Sequence, residues 1–390
     1  MRQRSLLHRM ALAATLAFSI TGVAAPMPHV LIGSYTHDSD SPGIHRLRFD
    51  AERGQLQPLQ TVASHNPSWL VLDEQRRRFY ATNENGPGHP DPVGRVSAFT
   101  IADDGEPQPL GQASTLGDEP THASLSADGR YLFVANYGSR TNPGGSLAVI
   151  PLDGQGRPQP VTQIAAHPPS GVHPERQRGA HVHSAVPSLD GRQLFVSDLG
   201  ADRVFVYRYD PANVERPLQP AEPASVELPP GSGPRHLAFS PDGRQAYLTL
   251  ELSAQVARFD HVDGRLTQRQ LVDLAAAGAS EAHSPGAIHP SADGRFLYVS
   301  DRGEHNRIVV FAVEEDGNLR EIQRRASEGR EPRELAIAPD GRFLLVANQL
   351  SDSLVVMRRD PASGRLGDTV QTLRIGRPSD IKFLGAPESR

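Results

Sequence analysis

The chain contains no cysteine. Disulfide cross-links, a thiol nucleophile and a thiolate metal site are therefore excluded. Aromatic residues are scarce, at 6% with a single tryptophan, so a core must be built mainly from Leu, Val, Ile and Ala. Neither sign of charge dominates. The net charge of −5 over 390 residues gives no footprint for nucleic acid or a membrane surface. Serine-hydrolase chemistry built on a Gly-x-Ser-x-Gly elbow is absent as well. Gly144-Gly145 follows Asn142-Pro143 and reads as a loop, because no strand and helix flank it as a phosphate cradle requires. A helical period of 3.6 residues appears only at the N-terminus and over Leu271–Ala277.

What is present begins with a targeting segment. Arg2, Arg4, His8 and Arg9 form a basic stretch, and Met10 to Ile20 is an apolar run too short to span a bilayer. Small residues follow, with a cleavage point after Ala24 or Ala25. Residues 1–25 read as a signal peptide and 26–390 as the mature domain, exported to the periplasm with no membrane span after cleavage. Glycine (35) and proline (34) are abundant, as a turn-rich all-β chain requires.

The mature part is repetitive. Asp-Gly-Arg occurs at 128, 190, 242, 293 and 340, in steps of 62, 52, 51 and 47 residues. A weaker copy, Gln75-Arg76-Arg77, precedes them. Each copy lies between two short apolar runs, which is a hairpin signal: Gly supplies positive φ and Asp tolerates it. In the copy at 242, Pro234–Ser240 and Gln245–Leu250 flank the turn. A third run starts at Gln255, and a polar fourth run, Leu266–Leu271, follows Asp263-Gly264-Arg265. Four strands, A to D, in about 45–50 residues are the size of one propeller blade. Six blades carry the turn. A seventh is split: Val30–Tyr35 and Ile44–Phe49 resemble strands B and C without an A, and Pro378–Leu384 is an A strand with nothing after it. The spacing predicts a seven-bladed β-propeller, all-β, closed by pairing the C-terminal strand with the N-terminal blade. Closure removes exposed edges.

The repeat also serves as a ruler. If strand A lines the channel and B runs antiparallel to it, the start of A and the end of B share the face opposite the turn. Seven residues before the turn aspartate or its equivalent stand Ser68, Thr121, His183, Arg235, Gly286 and Arg333, with Ser379 in the C-terminal strand. Nine residues after it stand Glu84, Tyr137, Leu199, Glu251, Arg302 and Gln349, with Tyr35 in the first blade. These rings are varied and charged where the turns are monotonous. A salt-bridged plug of the channel and a binding site fit such residue types equally. Arginines can polarise a carbonyl, and His or Glu can act as general base. The 62-residue step comes from a Pro-rich insertion between Ala165 and Ala180, placed to cover the same mouth as a lid. His181-Val182-His183 puts two imidazoles on one side of a strand, but lacks the further ligands of a metal site. No metal or other cofactor is expected. Trp69 follows ring residue Ser68 and is expected to pack between blades.

Several segments together carry a resemblance: Ile32-Gly-Ser-Tyr-Thr, Asn83-Glu84, Pro120-Thr-His, Ala135-Asn-Tyr-Gly, His181-Val-His-Ser, Gly233-Pro-Arg-His, Leu250-Glu-Leu and Ser300-Asp-Arg. Over nearly the whole mature chain the sequence resembles the lactonase family of seven-bladed propellers. That family includes propeller-type 6-phosphogluconolactonases and is related to fungal carboxy-cis,cis-muconate cyclase. The resemblance implies a catalytic set of His183, Arg235, Glu251 and Arg302, all four on the two rings. It implies metal-free lactone hydrolysis, with Arg235 and Arg302 on the carbonyl oxygen and His183 or Glu251 as base. Glu84, His122, Tyr137, His181 and Arg333 are expected to bind substrate, and Arg140, Arg176 and Arg178 lie near enough to read a phosphate. Export favours unphosphorylated glucono-1,5-lactone over the phosphorylated lactone, which is made in the cytosol. A non-catalytic binding platform is the alternative of another class. The protein is expected as a monomer or homodimer whose partner is a small sugar lactone.

Overall fold

The computed structural model describes residues 28–140, 144–275 and 283–385. The expected signal peptide lies outside them. They fold into seven four-stranded antiparallel sheets arranged in a ring. Among the described residues there is no α-helix, only two single 3₁₀ turns at Glu74–Arg76 and Gln349–Ser351, and no helix is long and apolar enough to cross a membrane. Blades are numbered here from the split one. Its A strand is Pro378–Leu384, which pairs with His29–Ser34, followed by Gly43–Asp50 and Gln55–Ala63. Blades 2 to 7 open with A strands Pro67–Asp73, Asp118–Leu125, Val182–Pro187, Pro234–Phe239, His283–Pro290 and Pro332–Ile337. These A strands are neighbours of one another around the channel, as the ruler requires.

The strand period of two explains the core. Along a B strand, alternate residues face opposite sides of the sheet. In blade 3, Leu132 and Val134 pack toward blade 2, and Phe133 and Ala135 toward blade 4. Seven apolar clusters result, one for each interface between blades. The one sealing the ring joins Val30, Ile32 and Phe49 of blade 1 to Phe343, Leu345 and Val356 of blade 7. Aliphatic residues dominate as expected. The few aromatics are nonetheless spread so that every interface holds at least one, such as Tyr80 between blades 2 and 3 and Phe311 between blades 5 and 6.

The Asp-Gly-Arg turns close the A–B hairpins. The glycines lie in the left-handed region, at φ +69 for Gly129 and +70 for Gly243. In four of the five the aspartate accepts from a serine two residues earlier, as in Ser240 Oγ to Asp242 at 2.6 Å, while Ala338 stands at that place before Asp340. In blade 2 the weak copy forms the first 3₁₀ turn, and Arg77 takes the positive φ instead. The helical period over Leu271–Ala277 does not become a helix in its described part. Leu271 to Asp273 finish the D strand Arg265–Asp273, because they pair with Gln255–Ala257.

Candidate active site

One local irregularity builds the site. In every blade the A–B register slips near the start of strand A, and in each the residue seven before the turn is left without a partner. Ser68 falls between the paired Pro67 and Trp69, and Thr121 between Pro120 and His122. His183 falls between Val182 and Ser184, Arg333 between Pro332 and Glu334, and Ser379 between Pro378 and Asp380. In blades 5 and 6 the gap includes Arg235 and Gly286. A β-bulge bends its strand and re-aims a side chain. Seven of them turn six side chains and Gly286 toward the channel. Strand B repairs the lost ladder bonds: Thr249 Oγ1 accepts from His236 N at 3.1 Å, and Ser300 Oγ from Ala287 N at 2.8 Å.

Above this ring lies a cavity of about 390 Å³, lined by Tyr35, Glu84, Thr121, Tyr137, His183, Glu251, Arg302, Arg333 and Gln349 from the two rings. His37, His89, Glu119, Arg176 and Arg377 complete it. Arg235 lies just below, against a second void of about 10 Å³ shared with Thr121, Arg333, His236 and Ser379. That is room for about one water molecule.

Glu251 is the hub. Its Oε1 accepts from Arg176 Nη2 at 2.7 Å, and its Oε2 from Arg302 Nη2 at 2.9 Å. Arg235 Nε stands 3.2 Å from the same Oε2. Burial alone would raise its pKa, but Arg302 first, then Arg235 and Arg176, hold the carboxyl far below the usual carboxylate range. It is a fixed anion and a weak base. His183 is the opposite case. Burial first, then Arg235, press its pKa well below that of free imidazole, so the ring is neutral. Its Nδ1 is buried without a partner, and Tyr137 and His236 pack edge-on against it at 5.3 and 5.1 Å. Arg235 is 1% exposed, and its Nη1 has no hydrogen-bond partner. Burial and Arg302 push it down to about 9, which leaves it charged at neutral pH. An unpaired buried N–H costs about 1–3 kcal/mol, so this arrangement suits a site that awaits an oxygen ligand.

Gly286 is the ring position without a side chain. A Cβ there would stand 2.7 Å from Ser300 Oγ and 3.1 Å from Arg302 Nε. Its absence lets Arg302 lie across blade 6 and reach Glu251.

The expected site residues divide. His183, Arg235, Glu251 and Arg302 come together. Glu84, Tyr137 and Arg333 line the cavity, with Tyr35 Oη donating to Glu84 at 2.8 Å and Arg176 Nη2 donating to Tyr137 Oη at 2.9 Å. His122 does not line it. It lies in the channel below, tilted against Trp69 at 4.4 Å, and burial drives its pKa to about 3. Trp69 bridges blades through Nε1 to Ala123 O at 3.0 Å, under the ammonium of Lys382, the chain's single lysine. His181 also stands outside the cavity. It supports Tyr137 from behind, with Nδ1 2.7 Å from Tyr137 O. Of the three surplus arginines, Arg176 enters the cavity, while Arg140 and Arg178 donate to Pro87 O and Pro174 O.

Glu119 and Arg377 escaped the two-ring count. They occupy a third ring, two residues before the bulge, with Asn66, Gly233 and Glu331. All five have positive φ, and each precedes the proline that stands just before the bulge in strand A. Those prolines were the legible signal. His37 and His89 come from loops and have no register.

Residues 29–383 match the family described as lactonase, 7-bladed beta-propeller. A 6-phosphogluconolactonase of Formosa agariphila is 33% identical over 361 residues, which cover 91% of this chain and 99% of that one. Its namesake in Bacillus subtilis is 30% identical over 358 residues, covering 90% and 97%. Among solved structures, the periplasmic gluconolactonase PpgL of Pseudomonas aeruginosa is 51% identical with a TM-score of 0.89, covering 93% of this chain and 100% of that one. With the ring of seven blades and the bulge-borne cluster around Glu251, these matches establish that the chain belongs to the lactonase family of seven-bladed β-propellers.

Proposed function

We propose that the protein hydrolyses an aldono-1,5-lactone, with unphosphorylated glucono-1,5-lactone as its substrate, after export to the periplasm. The observation that carries the reading is a neutral, buried imidazole beside a carboxylate held ionised by arginines, on the floor of a polar cavity. His183 takes a proton from water as its oxygen attacks the lactone carbonyl carbon. Guanidinium groups of the Arg235–Arg302 cluster stabilise the charge that grows on the carbonyl oxygen. Collapse breaks the bond to the ring oxygen, which leaves with the proton from His183. The product is an open-chain aldonic acid, which ionises and releases one proton. Glu251 holds the arginines in place, and with both oxygens engaged by them it is left out of the proton transfer. Glu84, Tyr137 and Arg333 are in reach of the substrate's oxygens.

The choice of substrate rests on two supports. Identity is 51% to a periplasmic gluconolactonase and 33% to a curated 6-phosphogluconolactonase, and the N-terminal sequence reads as an export signal. A phosphorylated lactone is the second reading, favoured by Arg176, Arg377 and the stacked pair His37–His89 at the rim.

Proton release with glucono-1,5-lactone, measured above the spontaneous rate, tests the function. Wild type is expected to accelerate it, and Arg235→Ala to lose on the order of 10²–10³-fold in kcat. Equal rates for the two proteins would leave only a binding platform. Turnover confined to the 6-phospho lactone would reverse the substrate choice. Activity is expected to survive chelators.

A further inference from the structure

Counting donors separates the arginines of the floor. Arg302 is committed: Nε donates to Ser284 O at 3.0 Å, Nη1 to Glu331 at 3.0 Å, and Nη2 to Glu251 at 2.9 Å and Ser284 Oγ at 2.8 Å. Four of its five N–H groups are thereby spent. Only one N–H, on Nη1, is left for a substrate oxygen, and the Nη2 donors that fix Glu251 are fully spent. Arg333 is the reverse. It lies on a bulge, lines both the cavity and the small void beneath, and stacks over Tyr35 at 5.1 Å. Its one ion pair is a long 3.6 Å approach to Glu84, whose carboxylate already accepts from Tyr35. Among the described residues its guanidinium makes no hydrogen bond. Arg235, which borders the same void, has an unpartnered Nη1.

We propose that Arg235 and Arg333 together form the seat for the lactone oxyanion and for the carboxylate of the product, and that Arg302 is a positioning residue acting through Glu251. This rests on the lactonase reading but redistributes its roles, since the resemblance assigns the second oxyanion donor to Arg302. Two guanidinium groups with free N–H donors match an oxyanion that becomes a planar carboxylate when the ring opens. Among the described residues, Arg235 and Arg333 are the two arginines that border the small void beneath the cavity, whereas Arg377 lines only the cavity and donates to His37 O at 3.3 Å. Arg176, the more exposed candidate, is bound to both Tyr137 and Glu251.

The test uses the full-length protein, glucono-1,5-lactone for turnover and gluconate for binding. Arg333→Met is expected to lower kcat on the order of 10²-fold and to weaken gluconate binding, measured by titration calorimetry, at least about tenfold, the loss of a charge-assisted pair. Arg333→Lys keeps the charge and should recover part of both. Arg302→Met should lower kcat and raise the acid limb of the pH profile, because Glu251 loses its strongest partner, yet leave gluconate affinity within about threefold. Thermal melts exclude misfolding for each variant. The proposal is overturned if Arg333→Met leaves kcat and gluconate affinity within about threefold of wild type, or if Arg302→Met is the variant that loses gluconate. A wild type that binds gluconate without hydrolysing the lactone would defeat the functional reading alone, and the titrations would still decide the seat. A wild type that binds no gluconate defeats the seat itself.

Discussion

At the scale of single residues, the site divides charge and neutrality between neighbours. His183 and Glu251 are both buried, yet burial governs only the first. Glu251 has three arginines to offset desolvation, whereas His183 meets Arg235 as a repelling cation. Each group is therefore held in one form across neutral pH. An imidazole in water would lose its basic form as pH falls through about 6.5. In His183 the neutral form persists below that value, because its pKa is lowered, and Glu251 remains ionised over the same interval. The kcat/KM profile for glucono-1,5-lactone, corrected for the spontaneous reaction, is expected to stay level from pH 7.5 down through 6. An acid limb centred on 6.5 would show that His183 titrates as an ordinary histidine and would remove it as the buried base. The types of these residues were legible in the sequence through the repeat, since counting from the turn needs no knowledge of contacts. Their commitments were not. Nothing in a register distinguishes Arg302, spent on Ser284, Glu251 and Glu331, from Arg333, whose guanidinium has a long approach to Glu84 and no hydrogen bond among the described residues. That difference depends on side-chain paths across blades, such as the space left open by Gly286.

At the scale of elements, two devices place the chemistry: the bulge that opens each A strand, and the insertion before blade 4. The A–B hairpins were readable because Asp-Gly-Arg fixes a turn wherever it occurs. The bulges were not read, although Pro67, Pro120, Pro234, Pro285, Pro332 and Pro378 mark them. A proline within the first three positions of a strand removes one ladder donor, and the slip follows within two residues. The insertion was expected as a lid. It brings Arg176 into the cavity, and it is pinned at both ends. His167 is buried between Asp198 at 2.9 Å and Tyr207 at 2.8 Å and stacks on Phe205. Gln177 is fully buried: its Nε2 donates to Leu199 O and Asp202, and its Oε1 accepts from His173 N. Such anchoring makes Arg176 a fixed wall of the cavity. Gln177→Leu keeps the volume but strips these bonds and leaves Asp202 and two backbone groups short of partners. At about 1–3 kcal/mol for each buried group left unsatisfied, the expected result is a melting temperature lower by several degrees. Amide exchange should rise across residues 168–179, and kcat/KM should fall as Arg176 leaves Glu251. Unchanged exchange in that segment would mean that Gln177 is not the anchor.

At the scale of the whole molecule, the ring is closed by pairing Pro378–Leu384 with His29–Ser34, so the channel is enclosed by A strands from both ends of the chain. That enclosure makes the channel interior one of the most strongly desolvated places in the protein, and His122, His183 and His236 are buried there. His236 packs between the other two, with ring centroids 5.8 Å from His122 and 5.1 Å from His183. In all three, burial is the largest cause of a lowered pKa, and nearby cations add to it. In the unfolded chain each would titrate near 6.5. As pH falls through that value the unfolded state binds protons that the folded channel refuses, so the folded state loses stability. The contribution of the neutral channel is complete above about pH 7. Below 6.5 it declines by about 1.4 kcal/mol per histidine for each pH unit. Three such groups cost the fold on the order of 4 kcal/mol at pH 5.5, against a total stability of about 5–15 kcal/mol for a typical domain. His29, His45 and His89 shift the same way and steepen the loss, while Asp380, raised by burial, opposes it at the acid end. Carboxylates held ionised, such as Glu251, act only at lower pH. Denaturant melts between pH 7.5 and 5 should therefore show a steep decline beginning near 6.5. His122→Gln, which removes a titrating group outside the proposed chemistry, should make the slope shallower by about one proton's worth. A stability curve flat to pH 5 would show that the channel admits protons, and with it enough water to charge the ring beneath the catalytic floor.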